Sequence, residues 1–524
     1  MIKKFCFYYL CLMFFLGMIS CQQSPENIAE TEFIYLEDNH FQYKDTVFFP
    51  IMLNYIVSYQ NYDNLFVVAP HVDYDSVGYV ESQTPEAVEN QLLGHFQLIK
   101  EMGFNTLRIC MDRMGQDENN HYYYAANRKF YIDNHKDVQA IIEGFRKLTT
   151  LAQQKGLRIM LLIRPPINNP EIENFTIQLL QQLSQNPTVF AYDFMNEPLY
   201  FDPAPKRKKT EAIKIVNHWR EMMRQYAPNQ LFTIGFSEPI EVFEWDASLL
   251  PVDFVEIHTY HPLRVPSEIY WYSKYIHKPW MIGETGLPAD NDSILYIEQL
   301  LFMQEAYQLT RDAGGCGFGW WEFQDMPNTH FEAQFTGLLN HKGKTTTSDG
   351  KYTIIGSVKS GNSIANLFKN YTARPYKRPV NYYNMLGYNN ICITGRIEDE
   401  RTRQPIEGAV IRGWNEYFQI GMNTYSDENG YFTLYCNTPC MHFEISAPGK
   451  SKSKFDKLIN YKPINYDIST LPNKKLEYHQ ISYHPFLTNP HFDDPNFNIF
   501  NFSPALFGQY KMKGDMGIIL LRDI

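Results

Sequence analysis

The sequence predicts an α/β protein: a (β/α)8 TIM barrel followed by a smaller all-β domain. Three observations lead there. Between Thr46 and about Tyr371, eight short apolar runs alternate with longer amphipathic ones. Most of the eight are apolar almost throughout, as strands covered on both faces must be. After Tyr376 the pattern changes to short strands joined by turns. Eight strand–helix units close into a barrel more readily than into an open sheet of that size.

The strand candidates are FFPIMLNY (48–55), NTLRIC (105–110), RIMLLI (158–163), VFAYDFMNE (189–197), QLFTIG (230–235), DFVEIH (253–258), PWMIGE (279–284) and CGFGWWEF (316–323). Helices fill the gaps. Val88, Leu92, Phe96 and Ile99 fall at helical spacing between Pro85 and Met102, and Gly103 ends the run. Val138 to Lys155 ends at Gly156 in the same way, and Ile294 to Ala313 at Gly314. Pro170 to Leu183 and Thr210 to Tyr226 are also helical, and Ser363 to Asn370 is expected to be the last barrel helix. The signal between Gly235 and Asp253 is weak, and a short or irregular helix is expected there.

Composition narrows the class. Hydrophobic residues at 44% and charged residues at 20% indicate a globular chain rather than a disordered one. The formal net charge of −11 argues against a nucleic-acid partner. The 37 Tyr and 37 Phe supply rings either for the core or for stacking on the apolar faces of sugars.

The first residues read as a targeting segment. Lys3 and Lys4 precede an apolar stretch from Phe5 to Ile19, shorter than the ~20 residues of a comfortable membrane span. It ends MISCQQ, and Ser20 before Cys21 resembles a bacterial lipobox. Residues 1–20 are therefore expected to be a lipoprotein signal peptide. Cys21 would carry lipid and hold the protein on a membrane, in the periplasm or at the cell surface. Residues 21–45 are assigned to a tether. Cys110, Cys316, Cys392, Cys436 and Cys440 remain, an odd number without zinc-like spacing. Cys436 and Cys440 either pair across a short loop or stay as buried thiols.

In such a barrel, chemistry gathers at the carboxyl ends of the strands. Arg108 lies near the end of the second strand, and Asn196-Glu197-Pro198 ends the fourth. His258-Thr259-Tyr260 ends the sixth, Gly283-Glu284-Thr285-Gly286 the seventh and Trp320-Trp321-Glu322 the eighth. Glu197 and Glu284 thus project into one mouth from opposite sides. Cleavage of a glycosidic bond requires such a pair: one acid protonates the departing oxygen, and the other attacks the anomeric carbon or activates water.

GFNTLRI (103–109), FMNEP (194–198), EIHTY (256–260), IGETG (282–286) and WWEF (320–323), in this order at the ends of strands 2, 4, 6, 7 and 8, resemble the clan A glycoside hydrolases. The likeness is greatest to family 5, the cellulase and β-mannanase group, and spans roughly residues 46–371. It implies a retaining double displacement, with Glu197 as general acid/base and Glu284 as nucleophile. It implies that Asn196 bonds the sugar 2-hydroxyl and that Arg108 lies near Glu284 and favours its ionised form. Tyr260 would hydrogen-bond Glu284, His258 would line the same subsite, and Trp321 would lie under the sugar, with Trp320 as the other candidate. The resemblance implies no metal and no organic cofactor. Its substrate would be a β-linked polysaccharide or oligosaccharide, β-1,4-glucan or β-mannan, cut in endo fashion. Two other readings are a non-catalytic glycan-binding surface protein and an exo-acting or transglycosylating enzyme of the same clan.

The chain departs from the family in places. Strand 3 ends IRPPI (163–167) where many members carry a histidine, and Arg164 is expected to fill that space. Strand 7 reads GETG rather than GEFG or GEWG. A long insertion, Gln324 to Gly361, follows strand 8 and would lid the cleft or shape its specificity. Tyr122, Tyr123 and Tyr124 are further stacking candidates.

Beyond the barrel (46–376) and a linker (377–390), ITGRIEDERTRQPIEGAVIRGWN (393–415) and TYSDENGYFTLYC (424–436) read as short strands, with Asn429-Gly430 a hairpin signal. They resemble the carboxypeptidase regulatory-like β-sandwich, over 391–524, with GDMGIILLRDI (514–524) as closing strand and an irregular insertion around 450–510. A structural spacer is the expected role, with a docking surface or a sugar binder as the other readings.

Overall fold

A computed structural model describes residues 32–71, 84–204, 206–326, 334–379, 383, 391–419, 421–436, 438–464 and 511–524. The signal segment, Cys21 and most of the irregular C-terminal insertion lie outside the described residues.

Eight parallel strands form the barrel: β1 Ile51–Tyr62, β2 Thr106–Cys110, β3 Arg158–Leu162, β4 Val189–Asn196, β5 Leu231–Phe236, β6 Val255–His258, β7 Trp280–Glu284 and β8 Phe318–Trp320. Each pairs with the next as far as β7, and β8 pairs with β1. Backbone hydrogen bonds close the ring between β7 and β8, from Cys316 N to Trp280 O (2.8 Å) and from Ile282 N to Gly317 O (3.2 Å). Every strand overlaps a run that the sequence marks as one.

The helices around it are α1 Pro85–Glu101, α2 His135–Gln154, α3 Pro170–Leu183, α4 Lys209–Tyr226, α5 Val265–Tyr275, α6 Tyr296–Asp312 and α7 Ser363–Leu367. Local chemistry sets their ends. Thr84, Asn134 and Asn169 cap α1, α2 and α3 by accepting from amides of the first turn. Gly103, Gly156 and Gly314, just past α1, α2 and α6, take φ of +95°, +68° and +84°. The weak Gly235–Asp253 segment holds a 3-10 turn, Pro239–Phe243. Helix α5 is the one that sequence periodicity misses. It is covered on two sides: Trp271 is buried and bonds Gly408 O (2.9 Å) of the C-terminal domain. A helix buried twice shows no amphipathic stripe.

The end of the presumed tether is folded. Tyr35–Glu37, His40–Tyr43 and Thr46–Val47 form a small antiparallel sheet. Its Ile34 and Phe41 are buried with Met52, Met160, Phe190, Phe254 and Met281 of the barrel. Residues 32–45 therefore plug the barrel floor. The short run Phe33–Leu36 and Phe41 beyond it sustain no period, which hides the plug in the sequence.

The C-terminal domain is two four-stranded sheets. The first has the order Tyr431–Cys436, Ile391–Asp399, Lys511–Leu521, Lys462–Ile464; the second Gly421–Tyr425, Val410–Trp414, His442–Ser446, Ser453–Asp456. Asn429-Gly430 does not close a hairpin. The strands on either side of it lie in different sheets, so the turn carries the chain between layers. Gly430 is needed there at φ +77°, and a Cβ would stand 2.4 Å from Ile397 O. Cys436 and Cys440 bring their sulfurs to 3.6 Å as free thiols.

Candidate active site

The mouth of the barrel is built on a buried cation. Arg108 is fully buried on β2. Its guanidinium donates to Asp193 Oδ2 (2.6 Å from Nη2), Asn54 Oδ1 (3.0 Å), Asn196 Oδ1 (2.9 Å) and Glu284, and lies 3.2 Å from Glu256 Oε1. A buried guanidinium needs such partners, because its desolvation is otherwise uncompensated. The small residues of the lumen make room for them. A Cβ on Gly283 would meet Glu256 Oε1 at 1.8 Å, and one on Gly235 would meet His258 Nε2 at 2.7 Å.

Glu284 and Glu197 sit above this layer. Glu284 receives hydrogen bonds from Arg108 and from the Tyr260 hydroxyl. Glu197 Oε1 is 2.9 Å from His258 Nδ1, which is also 3.6 Å from Glu284 Oε1. One carboxylate oxygen of each glutamate and one His258 nitrogen lie within 4.8 Å of one another. Glu197 takes a left-handed backbone, φ 38°, which a non-glycine residue adopts only when its surroundings compel it. Its amide bonds Gly235 O (2.8 Å) on one side, and Pro198 begins a short helix on the other.

The two carboxyls are driven apart in acidity. Burial raises Glu197, the Glu284 charge adds to this, and the hydrogen bond and charge of His258 only partly offset it. Burial would raise Glu284 too, but the charges of His258 and Arg108 and the bonds from Tyr260 and Arg108 outweigh it and hold it below its ordinary value. Burial acts to lower His258, yet Glu284, Glu197 and Glu256 push it up to about 10, so the ring is a cation. One acid is poised to hold a proton and its neighbour to stay charged.

A cavity of about 400 Å³ opens over this pair, lined by Asn196, Glu197, His258, Tyr260, Glu284 and Trp321 among others. Six of the residues singled out in the sequence thus share one chamber, and Arg108 lies beneath it. Trp320 is instead fully buried and donates to Thr336 O (3.2 Å). The tyrosine triplet stays out of the lining. Tyr124 is buried with its hydroxyl on Met111 O, Tyr123 packs on Tyr131, and Tyr122 lies under the Arg164 guanidinium. Arg164 is therefore stacked on the short strand Tyr122–Ala125 and is not among the residues that line the chamber. Of the described part of the 324–361 insertion, Thr336 borders the chamber, while Tyr352 and Ser348 pack on α1.

Sequence reasoning passed over Asn54, Asp193 and Glu256. A signal existed: Asp193 in AYDFM and Glu256 in FVEIH are acids inside apolar strands, and buried acids need cations. Asp112, Arg113, His261 and Arg264, from the loops after β2 and β6, complete the rim. Glu197, His258 and Glu284 have the spacing to grip a metal ion, but the charges of Arg108 and His258 already occupy that field. His121, Asp133 and Glu171 form a second such group at the surface.

No family model matches this chain, and no curated protein matches it in sequence. Solved structures do. The chain is similar to the family 1 β-glucosidase from Thermotoga maritima, at 12% identity and a TM-score of 0.41, over 62% of this chain and 98% of that one. It is similar to GH5_18 from Streptomyces cattleya in complex with GlcNAc, at 12% identity and a TM-score of 0.41, over 59% and 79%. It is similar to the AHE enzyme from Alicyclobacillus herbarius, at 11% identity and a TM-score of 0.40, over 64% and 98%. At such identity and score the likeness carries nothing about activity. The barrel rests on the strand pairing above, and the chemistry on the side chains.

Proposed function

We propose that this protein is a retaining glycoside hydrolase. The observation that carries the reading is the pair Glu197 and Glu284, with oxygens within 4.8 Å and acidities shifted in opposite directions. Retaining enzymes hold their two carboxyl groups about 5–5.5 Å apart, whereas inverting ones leave room for a water at about 6.5–9.5 Å. Glu284, charged and braced by Arg108 and Tyr260, attacks the anomeric carbon while Glu197 protonates the departing oxygen. Once Glu284 is esterified its charge is gone, and with it one of the causes that raise Glu197. Glu197, having passed its proton to the departing oxygen, is then more easily kept ionised and takes a proton from the incoming water as base. Asn196, fixed by Arg108 through its Oδ1, leaves its amide nitrogen to bond the sugar 2-hydroxyl. Trp321, half-buried beside the pair, is the stacking floor.

The substrate class in this reading is a β-linked glucan or mannan, cut within the chain, by a protein tethered to a membrane through lipid on Cys21. The test is direct. Glu284→Ala and Glu197→Ala should each lower turnover of a β-glycoside by about 10³-fold or more, in line with the loss of a nucleophile or a general acid. Proton NMR should show the β-anomer forming first. Hydrolysis near the wild-type rate by either variant, or an α-anomer as first product, would refute the assignment.

A further inference from the structure

The C-terminal domain is docked too firmly, and too near the chamber, to be a spacer. Lys209 of α4, almost fully buried, pairs with Asp246 (2.9 Å) and donates across the junction to Ser446 Oγ (2.9 Å), Ala447 O (3.2 Å) and Lys450 O (2.7 Å). Tyr275 donates to Glu407 (3.0 Å), and Ser267 and Tyr425 share a hydrogen bond (3.0 Å). Beside this seam lies a second cavity of about 520 Å³, within the size range of ligand sites. Leu199, Tyr200 and Trp245 line it from the barrel, and Arg412, Trp414 and Phe418 from the C-terminal domain. Tyr200 lines the catalytic chamber as well, so the two spaces meet at one side chain.

The far wall is built as a platform. Phe418 is 54% exposed, yet its backbone takes φ +55°, a conformation that costs a phenylalanine energy. Its ring stacks on His442 at 3.8 Å and 13°. His442 is pinned in turn by Asp456 (2.7 Å) and Glu416 O (3.0 Å). Trp414 lies 6.1 Å from Phe418, with the Arg412 guanidinium 4.5 Å from its own ring. A large ring backed from behind and presented at a cavity edge suits the apolar face of a sugar, and the neighbouring Arg412 suits its hydroxyls.

We propose that the C-terminal domain completes the substrate cleft: sugar units of a β-linked chain extending past Tyr200 stack on Phe418 and Trp414. This rests on the glycoside hydrolase reading. It predicts that the preference for long substrates resides in a residue outside the barrel.

The test uses the full-length protein with cello- and manno-oligosaccharides of two to six units, taking whichever series the wild type cleaves. Phe418→Ala should lower the ratio of kcat/KM for the six-unit over the two-unit sugar about tenfold. Phe418→Tyr, which keeps a ring, should restore it. Leu458→Ala, an exposed apolar residue outside the cavity lining, should leave it unmoved. An unchanged ratio in Phe418→Ala, with wild-type melting temperature, overturns the inference while leaving the hydrolase reading intact. A wild-type protein that cleaves neither series, nor 4-nitrophenyl β-glycosides, overturns the hydrolase reading and this inference with it.

Discussion

His258 holds its Nδ1 2.9 Å from Glu197 Oε1, while the same nitrogen stands 3.6 Å from Glu284. A single cationic ring therefore touches Glu197 and sits within the field of Glu284. Much of the expected pH behaviour follows from that placement.

The activity should be bell-shaped in pH. Glu284 must be ionised and its folded value is lowered, so the acid limb should lie below the ordinary glutamate value. Glu197 must be protonated and its value is raised, so the basic limb should lie above it. A kcat/KM profile whose acid limb lies above the ordinary glutamate value, or whose basic limb lies below it, would contradict the assignment of roles.

Replacing His258 by Asn removes a cation that lowers both carboxyls. Both limbs should therefore move to higher pH together. A profile in which only one limb moves would show that the ring serves one glutamate alone.

Arg108→Lys keeps the charge and loses the fork. One ammonium cannot reach Asn54, Asp193, Asn196 and Glu284 at once. Stability should fall by about 1–3 kcal/mol, the cost of leaving buried acceptors without a donor. The acid limb should rise as Glu284 loses its brace. Urea unfolding and the pH profile, measured on the same preparation, separate the two effects.

At position 197 a glycine should be more stable than an alanine. The φ of 38° costs any residue with a Cβ about 1–2 kcal/mol, and glycine escapes that cost. Glu197→Gly and Glu197→Ala should be equally inactive, with the glycine variant unfolding at higher denaturant. Equal midpoints would argue that the turn relaxes without its side chain.

Gly283→Ala should be poorly tolerated, because the new methyl would fall on the Glu256 side chain, 1.8 Å from Oε1 and 2.1 Å from Cγ. A destabilisation of about 1–3 kcal/mol is expected for such overpacking, with loss of activity as Glu256 shifts against Arg108 and His258. A fully active, fully stable variant would show that Glu256 has another place to go.

By itself the sequence determined the eight strands, their order and the two glutamates that finish the fourth and seventh. Those features are local: an apolar run, a helix cap or an Asn-Glu-Pro ending is written in neighbouring residues. The floor plug, the twice-covered helix α5 and the sheet change at Asn429-Gly430 needed tertiary structure, because what buries each of them lies far away in the chain. So did the electrostatics. Glu197 and Glu284 are the same residue type with the same intrinsic acidity. Only through-space distances to Arg108, His258 and Tyr260, contributed by different strands, separate a proton donor from a carboxylate. The same holds for Phe418: in the sequence it is one ring among 37 Phe, and only the docking of its domain brings it into one cavity with Tyr200.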